Sequence, residues 1–196
     1  LMPCGTCPDC ARGRDDLCAP FFSLNRLKGQ LFDGTSRLAD LEGNTIAQYS
    51  MGGLAEYCVI PITAVTAAPD SLDPIASAIL GCAAMTGFGA VRHGADLRYG
   101  ETVAVIGAGG VGSNIIQIAA EMGARTVIAI DIDDTKLLAA KRLGATHSVN
   151  SRSENAAEAV LAITDGRGVD VAFEALGIPA TFEQALELLA DGGRMV

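Results

Sequence analysis

Four cysteines crowd the first eighteen residues. Cys4, Cys7, Cys10 and Cys18 stand as C-x2-C-x2-C-x7-C in CGTCPDCARGRDDLC. Four thiolates brought together by such short spacings can close a tetrahedron around zinc, and a site with no open coordination position is structural rather than catalytic. Gly5 and Gly13 let the backbone bend back on itself. Two other chemistries use four cysteines. An iron–sulfur cluster is usually held by C-x2-C-x2-C-x3-C-P, which departs from the last spacing here. Disulfides need an oxidising compartment, and no charged-then-apolar segment opens the sequence. Cys58 and Cys82 stand apart from this group. Cys82, in ILGCAAMTGFGA, reads from its surroundings alone as a core thiol, with a nucleophile or a metal ligand as the alternatives.

A second constellation lies at Gly107, Gly109 and Gly112, a G-x-G-x-x-G within TVAVIGAGGVG. The pattern is weak alone, but here an apolar strand precedes it and a helix follows. The first glycine permits the tight turn, the second lets a pyrophosphate approach the backbone, and the third lets helix and strand pack closely. The N-terminus of the helix offers free N–H groups and partial positive charge to phosphates. Asp131 closes the next strand, TVIAID, 19 residues after Gly112. A carboxylate there accepts from the ribose hydroxyls of a dinucleotide and repels a 2′-phosphate, which favours NAD over NADP. The competing reading is a glycine turn of an ordinary α/β protein, with Asp131 capping the following helix.

The elements that must position these groups are legible from periodicity. From Gly100 onward, strands starting near residues 103, 126, 146, 169 and 194 alternate with helices, which predicts a doubly wound parallel sheet. The last helix is expected to run through Gly193 and the last strand to open at Arg194. Asp73 and Pro74 read as the N-cap and first residue of a helix. A second short helix is expected from Thr86 to about His93, and AEYCVIP (55–61) reads as a strand ended by Pro61. The first twenty residues are a loop in need of an external staple. The chain has 196 residues, 49% of them hydrophobic, and a net charge of −9. That composition supports a sizeable core and argues against nonspecific nucleic-acid binding. No apolar run is long enough to span a membrane. A soluble cytoplasmic protein is expected, and the chain reads as an internal piece of a longer one.

The cysteine knuckle, the GC…TGFGA stretch and the GAGGVG…DIDDTK stretch occur together in this order. That combination resembles the zinc-dependent alcohol dehydrogenases of the medium-chain dehydrogenase/reductase superfamily. NRLKGQLFDGTSRL and YSMGGLAEYCVIP are also similar to segments of that family, with a lean toward the branch containing thiol-dependent formaldehyde dehydrogenases. The resemblance implies a partial GroES-like, mainly β catalytic domain over residues 1–85, with its zinc lobe at 1–20. It implies an NAD-binding Rossmann domain over 86–196, truncated before its last strand.

Residue by residue, the resemblance implies structural zinc on Cys4, Cys7, Cys10 and Cys18, and a catalytic-zinc thiolate at Cys82. It places Thr86 beside the nicotinamide, Val111 against that ring, and the pyrophosphate at Gly107, Gly109, Gly110 and Gly112. Asp131 and Lys136 would take the ribose. The family's other catalytic-zinc ligands, a cysteine and a histidine, precede the lobe. Neither His93 nor His147 matches them, so a complete active site is not expected within this chain. The implied activity is zinc-dependent, NAD-linked hydride transfer between a small alcohol and an aldehyde or ketone, in a homo-oligomer (dimer or tetramer). The rival readings are a metal-free quinone-type reductase on the same fold and a non-catalytic NAD-binding module. Arg26, Lys28 and Arg37 read as solvated charges, and Tyr49 and Met51 as packing. Glu174 reads equally as a structural group or a cofactor contact.

Overall fold

The computed structural model describes residues 2–49 and 52–196; Met51 lies outside the described residues. The chain divides into two compact units, Leu1–Ser71 and Leu72–Val196.

The second unit is built on a five-stranded sheet. Its strands are β3 (Thr102–Ile106), β4 (Thr126–Asp131), β5 (His147–Asn150), β6 (Val169–Glu174) and β7 (Leu189–Met195). They lie in the order β5-β4-β3-β6-β7, and every neighbouring pair is parallel. Parallel strands need crossovers, supplied by α3 (Gly110–Glu121), α4 (Asp134–Arg142), α5 (Ala156–Ile163) and α6 (Pro179–Glu187). The strands are buried on both faces, which is why TVAVI and VIAI read as unbroken apolar runs. Alternate residues serve opposite cores. Val103, Val105, Val127 and Phe173 pack with Ile115, Ile116 and Ala119 of α3 and Leu137 of α4. Ala104, Ile106, Ile128 and Ile130 pack with Val160 of α5 and Ala185 of α6. Side-chain caps set two helix starts: Asp133 accepts from Thr135 N–H (2.8 Å), and Asn155 accepts from Ala157 N–H (2.9 Å).

The last strand starts earlier than its sequence suggests. α6 stops at Glu187 and β7 opens at Leu189, with an irregular register in which Val169 pairs with Leu189 and Val171 with Arg194. Arg194 anchors this end. Its guanidinium grips Glu101 through two bonds (Nη2–Oε2 2.7 Å, Nη1–Oε1 2.9 Å) and also donates to the carbonyls of Ala95 and Asp96.

Ahead of β3 lie α1 (Pro74–Ser77), capped by Asp73 as expected (Ala76 N–H to Oδ2, 2.7 Å), and a helical run from Leu80 to Gly94. That run is longer than the Thr86–His93 helix expected. It is π-type at Leu80–Ala84, α-helical at α2 (Met85–Gly89), and π-type again at Ala90–Gly94. The Leu80–Ala84 turn packs on α2 and α3 and so falls within the second compact unit.

In the first unit, strand structure among the described residues is confined to a short antiparallel hairpin, β1 (Leu38–Ala39) with β2 (Thr45–Ile46). A small core of Met2, Cys18, Phe21 and Leu31 lies beneath the cysteine loop. Residues 55–61 form no strand, and Tyr57 and Val59 are exposed. A β-prone segment becomes a strand only by pairing, and this one has no partner among the described residues.

Candidate functional site

The glycine turn sits at the carboxyl end of β3. Gly107 has φ +92 and donates its N–H to Ile130 O at 2.8 Å, which ties the turn to the neighbouring strand. A Cβ on Gly112 would lie 1.7 Å from Gly107 O, so only glycine lets α3 start this close to the turn. A Cβ on Gly109 or Gly110 would meet nothing within 4 Å. The four glycines therefore divide their work: Gly107 and Gly112 shape the turn, while Gly109 and Gly110 leave space in front of it. No side chain caps the N-terminus of α3, so its leading N–H groups face that space, as a pyrophosphate cradle requires. Val111 is half-buried against the core beneath the turn.

Asp131, at the end of β4, is only 6% exposed. Its Oδ2 accepts from Ala108 N–H (2.8 Å), inside the glycine turn itself. Its Oδ1 accepts from Ile132 N–H (2.8 Å) and Asp133 N–H (3.1 Å). Lys136 Nζ stands 3.7 Å from Oδ2. The acid thus braces the turn as well as ending the strand, a second role that its position in the sequence did not reveal. Each carboxylate oxygen has more than one acceptor direction, so these bonds leave capacity for a ligand hydroxyl.

Glu174, at the end of β6, has a structural role. It accepts from the N–H groups of Leu176 (2.8 Å) and Gly177 (3.0 Å) and from the Thr181 hydroxyl (2.8 Å). Burial pushes its carboxyl up, but these donors outweigh burial and hold it below the ordinary range.

Cys82 and Thr86 are four residues apart on the helical run, and both are exposed. Gly87 brings that run against α3: a Cβ there would lie 3.0 Å from Asn114 Cβ. Cys82 belongs to no cluster of three or more potential metal ligands among the described residues. His93 and His147 are exposed, the first edge-on to Phe88 and the second beside the Thr146 hydroxyl.

The cysteine knuckle does converge. The ligand atoms of Cys4, Cys7, Cys10 and Cys18 all lie within 4.8 Å of one another. Cys4 Sγ accepts from Cys7 N–H (3.2 Å) and from the N–H and hydroxyl of Thr6, and these bonds draw its thiol down to about 6. Burial pushes Cys10 up to about 12, and the neighbouring cysteine side chains push the same way. Four sulfurs this close, one favoured as thiolate and another suppressed, are a donor set that a soft divalent cation would complete. Thr63 supports the loop from outside by donating its hydroxyl to Pro3 O (2.5 Å). Arg26, Lys28 and Arg37 are exposed. Arg37 pairs with Asp33 at 2.5 Å. Tyr49, expected to pack, is instead exposed beside Arg26.

A family model described as zinc-binding dehydrogenase matches residues 110–196. Among curated proteins, the chain is 35% identical to S-(hydroxymethyl)glutathione dehydrogenase of Saccharomyces cerevisiae, over 96% of this chain and 50% of that protein. It is 34% identical to a CYP enzymes assisting alcohol dehydrogenase of Catharanthus roseus, over 100% of this chain and 54% of that protein. Among solved structures it matches an alcohol dehydrogenase zinc-binding domain protein from Burkholderia ambifaria, with a TM-score of 0.90 and 35% identity, over 100% of this chain and 53% of that one. It also matches benzyl alcohol dehydrogenase from Acinetobacter calcoaceticus, with a TM-score of 0.84 and 29% identity, over 100% and 53% of the two chains. The chain spans about half the length of the curated relatives it matches.

Proposed function

We propose that the chain, which is similar along its length to zinc-dependent alcohol dehydrogenases, supplies the NAD-binding sheet and structural-zinc lobe of an oxidoreductase acting between an alcohol and its aldehyde or ketone. The observation that supports this best is the Ala108–Asp131 hydrogen bond. It joins the pyrophosphate cradle to the ribose acid at the carboxyl edge of adjacent parallel strands, the edge where open α/β sheets bind ligands.

When bound, NAD accepts or returns the hydride, and zinc polarises the oxygen of the alcohol or carbonyl. The chain's own residues bind and orient. Gly107, Gly109, Gly110 and Gly112 admit the pyrophosphate to the N–H groups of α3. Asp131 accepts from the ribose hydroxyls, and Lys136 reaches the same sugar. Val111 packs on the nicotinamide and Thr86 stands beside it. Cys82 offers one thiolate near the reacting end, and the remaining ligands of that site come from outside the clusters this chain forms. Cys4, Cys7, Cys10 and Cys18 hold the structural zinc. The partner is a small alcohol or aldehyde, and the working form is a cytoplasmic homo-oligomer. No helix among the described residues is long and apolar enough to cross a membrane.

The test is zinc analysis of the purified chain combined with NADH titration. About one zinc and one NADH per chain is the expected result. A folded chain that retains neither would overturn the proposal.

A further inference from the structure

At the end of the sheet opposite the glycine turn, the apolar rows stop. Ala104 and Ile128 belong to the core beneath α5 and α6, and the residues two before them, Thr102 and Thr126, lie on the same side of their strands. Thr102 and Thr126 are direct partners in the β3–β4 register. Asp170 joins them from β6, its Oδ2 accepting from Thr102 N–H at 2.8 Å. α5 ends at Ile163, and a cavity of about 270 Å3 lies between that helix end and this polar row. Arg125, Thr164, Asp165 and Arg167 complete its walls. Sites for drug-sized ligands run to roughly 300–1,000 Å3, so this volume suits a small occupant.

The turn after α5 is held firmly. The Thr164 hydroxyl donates to Val160 O (2.8 Å) and accepts from Gly168 N–H (3.0 Å). A Cβ on Gly168 would lie 2.7 Å from Leu188 O, so the turn sits directly on the backbone leading into β7. Asp165 has φ +54, in the left-handed region that aspartate tolerates better than most side chains. This turn carries Asp165 and Arg167 without pairing them. Neither side chain makes a hydrogen bond or ion pair among the described residues. Arg125 donates one N–H to the Thr102 hydroxyl (3.3 Å) and also makes no ion pair among the described residues.

Opposite charges fixed around one small cavity and left apart favour a solute that carries both. A lone anion would meet Asp165 and Asp170, and a lone cation would meet Arg125 and Arg167. We propose that this cavity is a second ligand site, for a small polar zwitterion of the α-amino-acid class. The carboxylate of the ligand lies on Arg125 and Arg167, whose planar guanidinium groups match it, and its ammonium lies on Asp165 and Asp170. The Thr126 hydroxyl serves a polar side chain. The site is independent of the dinucleotide reading, because it lies at the other end of the same strands.

The test is calorimetric titration of the chain with L-serine, with β-hydroxypropionate, which lacks the ammonium, and with ethanolamine, which lacks the carboxylate. Serine should bind, and each half-molecule should bind at least about tenfold more weakly. R167A should weaken serine about tenfold, and D165N about three- to tenfold. Asparagine also tolerates the left-handed backbone, so D165N should keep the fold. Neither substitution should move the thermal midpoint or NADH affinity. Absence of serine binding at about 50 mM overturns the proposal. So does equal binding of β-hydroxypropionate, which would make the cavity a plain anion site, and so does unchanged serine affinity in R167A.

Discussion

Gly112 and Gly109 are three residues apart in one turn, and alanine at each should fail in opposite ways. At Gly112 the added methyl would lie 1.7 Å from Gly107 O. Ordinary carbon–oxygen contact needs roughly 3.2 Å or more, so α3 and the turn must separate by about 1.5 Å. α3 carries Ile115, Ile116 and Ala119 into the core against β3 and β4. Displacing its first turn opens gaps around those side chains, and overpacking with repacking of this kind costs about 2–4 kcal/mol. That is a large share of the roughly 5–15 kcal/mol that stabilises a domain. At Gly109 the methyl meets nothing, and φ is −78. Stability should stay within about 0.5 kcal/mol of wild type, while NADH affinity falls at least tenfold because the methyl enters the pyrophosphate space. Urea denaturation gives the first quantity and NADH titration the second. Wild-type stability in Gly112→Ala, or wild-type affinity in Gly109→Ala, would refute the division of labour drawn from the turn.

Three other outcomes are expected. Glu101 is held below the ordinary carboxylate range, chiefly by the Arg194 guanidinium. A lowered acid stabilises the fold above its unfolded-state range and loses that contribution as pH falls through the folded value. Glu101→Gln should therefore flatten the acid limb of the stability–pH curve, and Arg194→Ala should cost about 2–3 kcal/mol at neutral pH by denaturant titration. Cys10→Ser should lose bound zinc on metal analysis and raise amide exchange across residues 2–20, whereas Cys82→Ala should leave that zinc in place. Asp131→Ala strips acceptors from three N–H groups, so it should lower the thermal midpoint as well as NADH affinity. Lys136→Ala, at an exposed side chain, should weaken NADH only about two- to fivefold without changing the midpoint.

The parts of the fold that follow from local pattern were legible in advance. Buried parallel strands advertise themselves as continuous apolar runs, and the turn between β3 and α3 needs glycine at fixed places. The Asp73 cap was legible for the same reason. Partner-dependent features were not. The 55–61 segment has strand composition but no strand to pair with among the described residues. β7 begins at Leu189, ahead of the expected start at Arg194, because Leu189 finds Val169 alongside it, a contact no local window contains. The candidate site divides in the same way. The cysteine spacing predicted convergence because short loops leave few alternatives. Asp131's bond to Ala108 spans 23 residues and depends on β4 lying beside β3, an order the sequence leaves implicit.

The central claim about this molecule is that the β3–α3 turn and Asp131 hold NAD. The most direct measurement is titration of the zinc-loaded chain with NADH, following its fluorescence, with circular dichroism recorded on the same sample. Saturation at about one NADH per chain, competed by AMP and weakened by Gly109→Ala, is the predicted result. No binding at millimolar NADH by a chain that is demonstrably folded would contradict it.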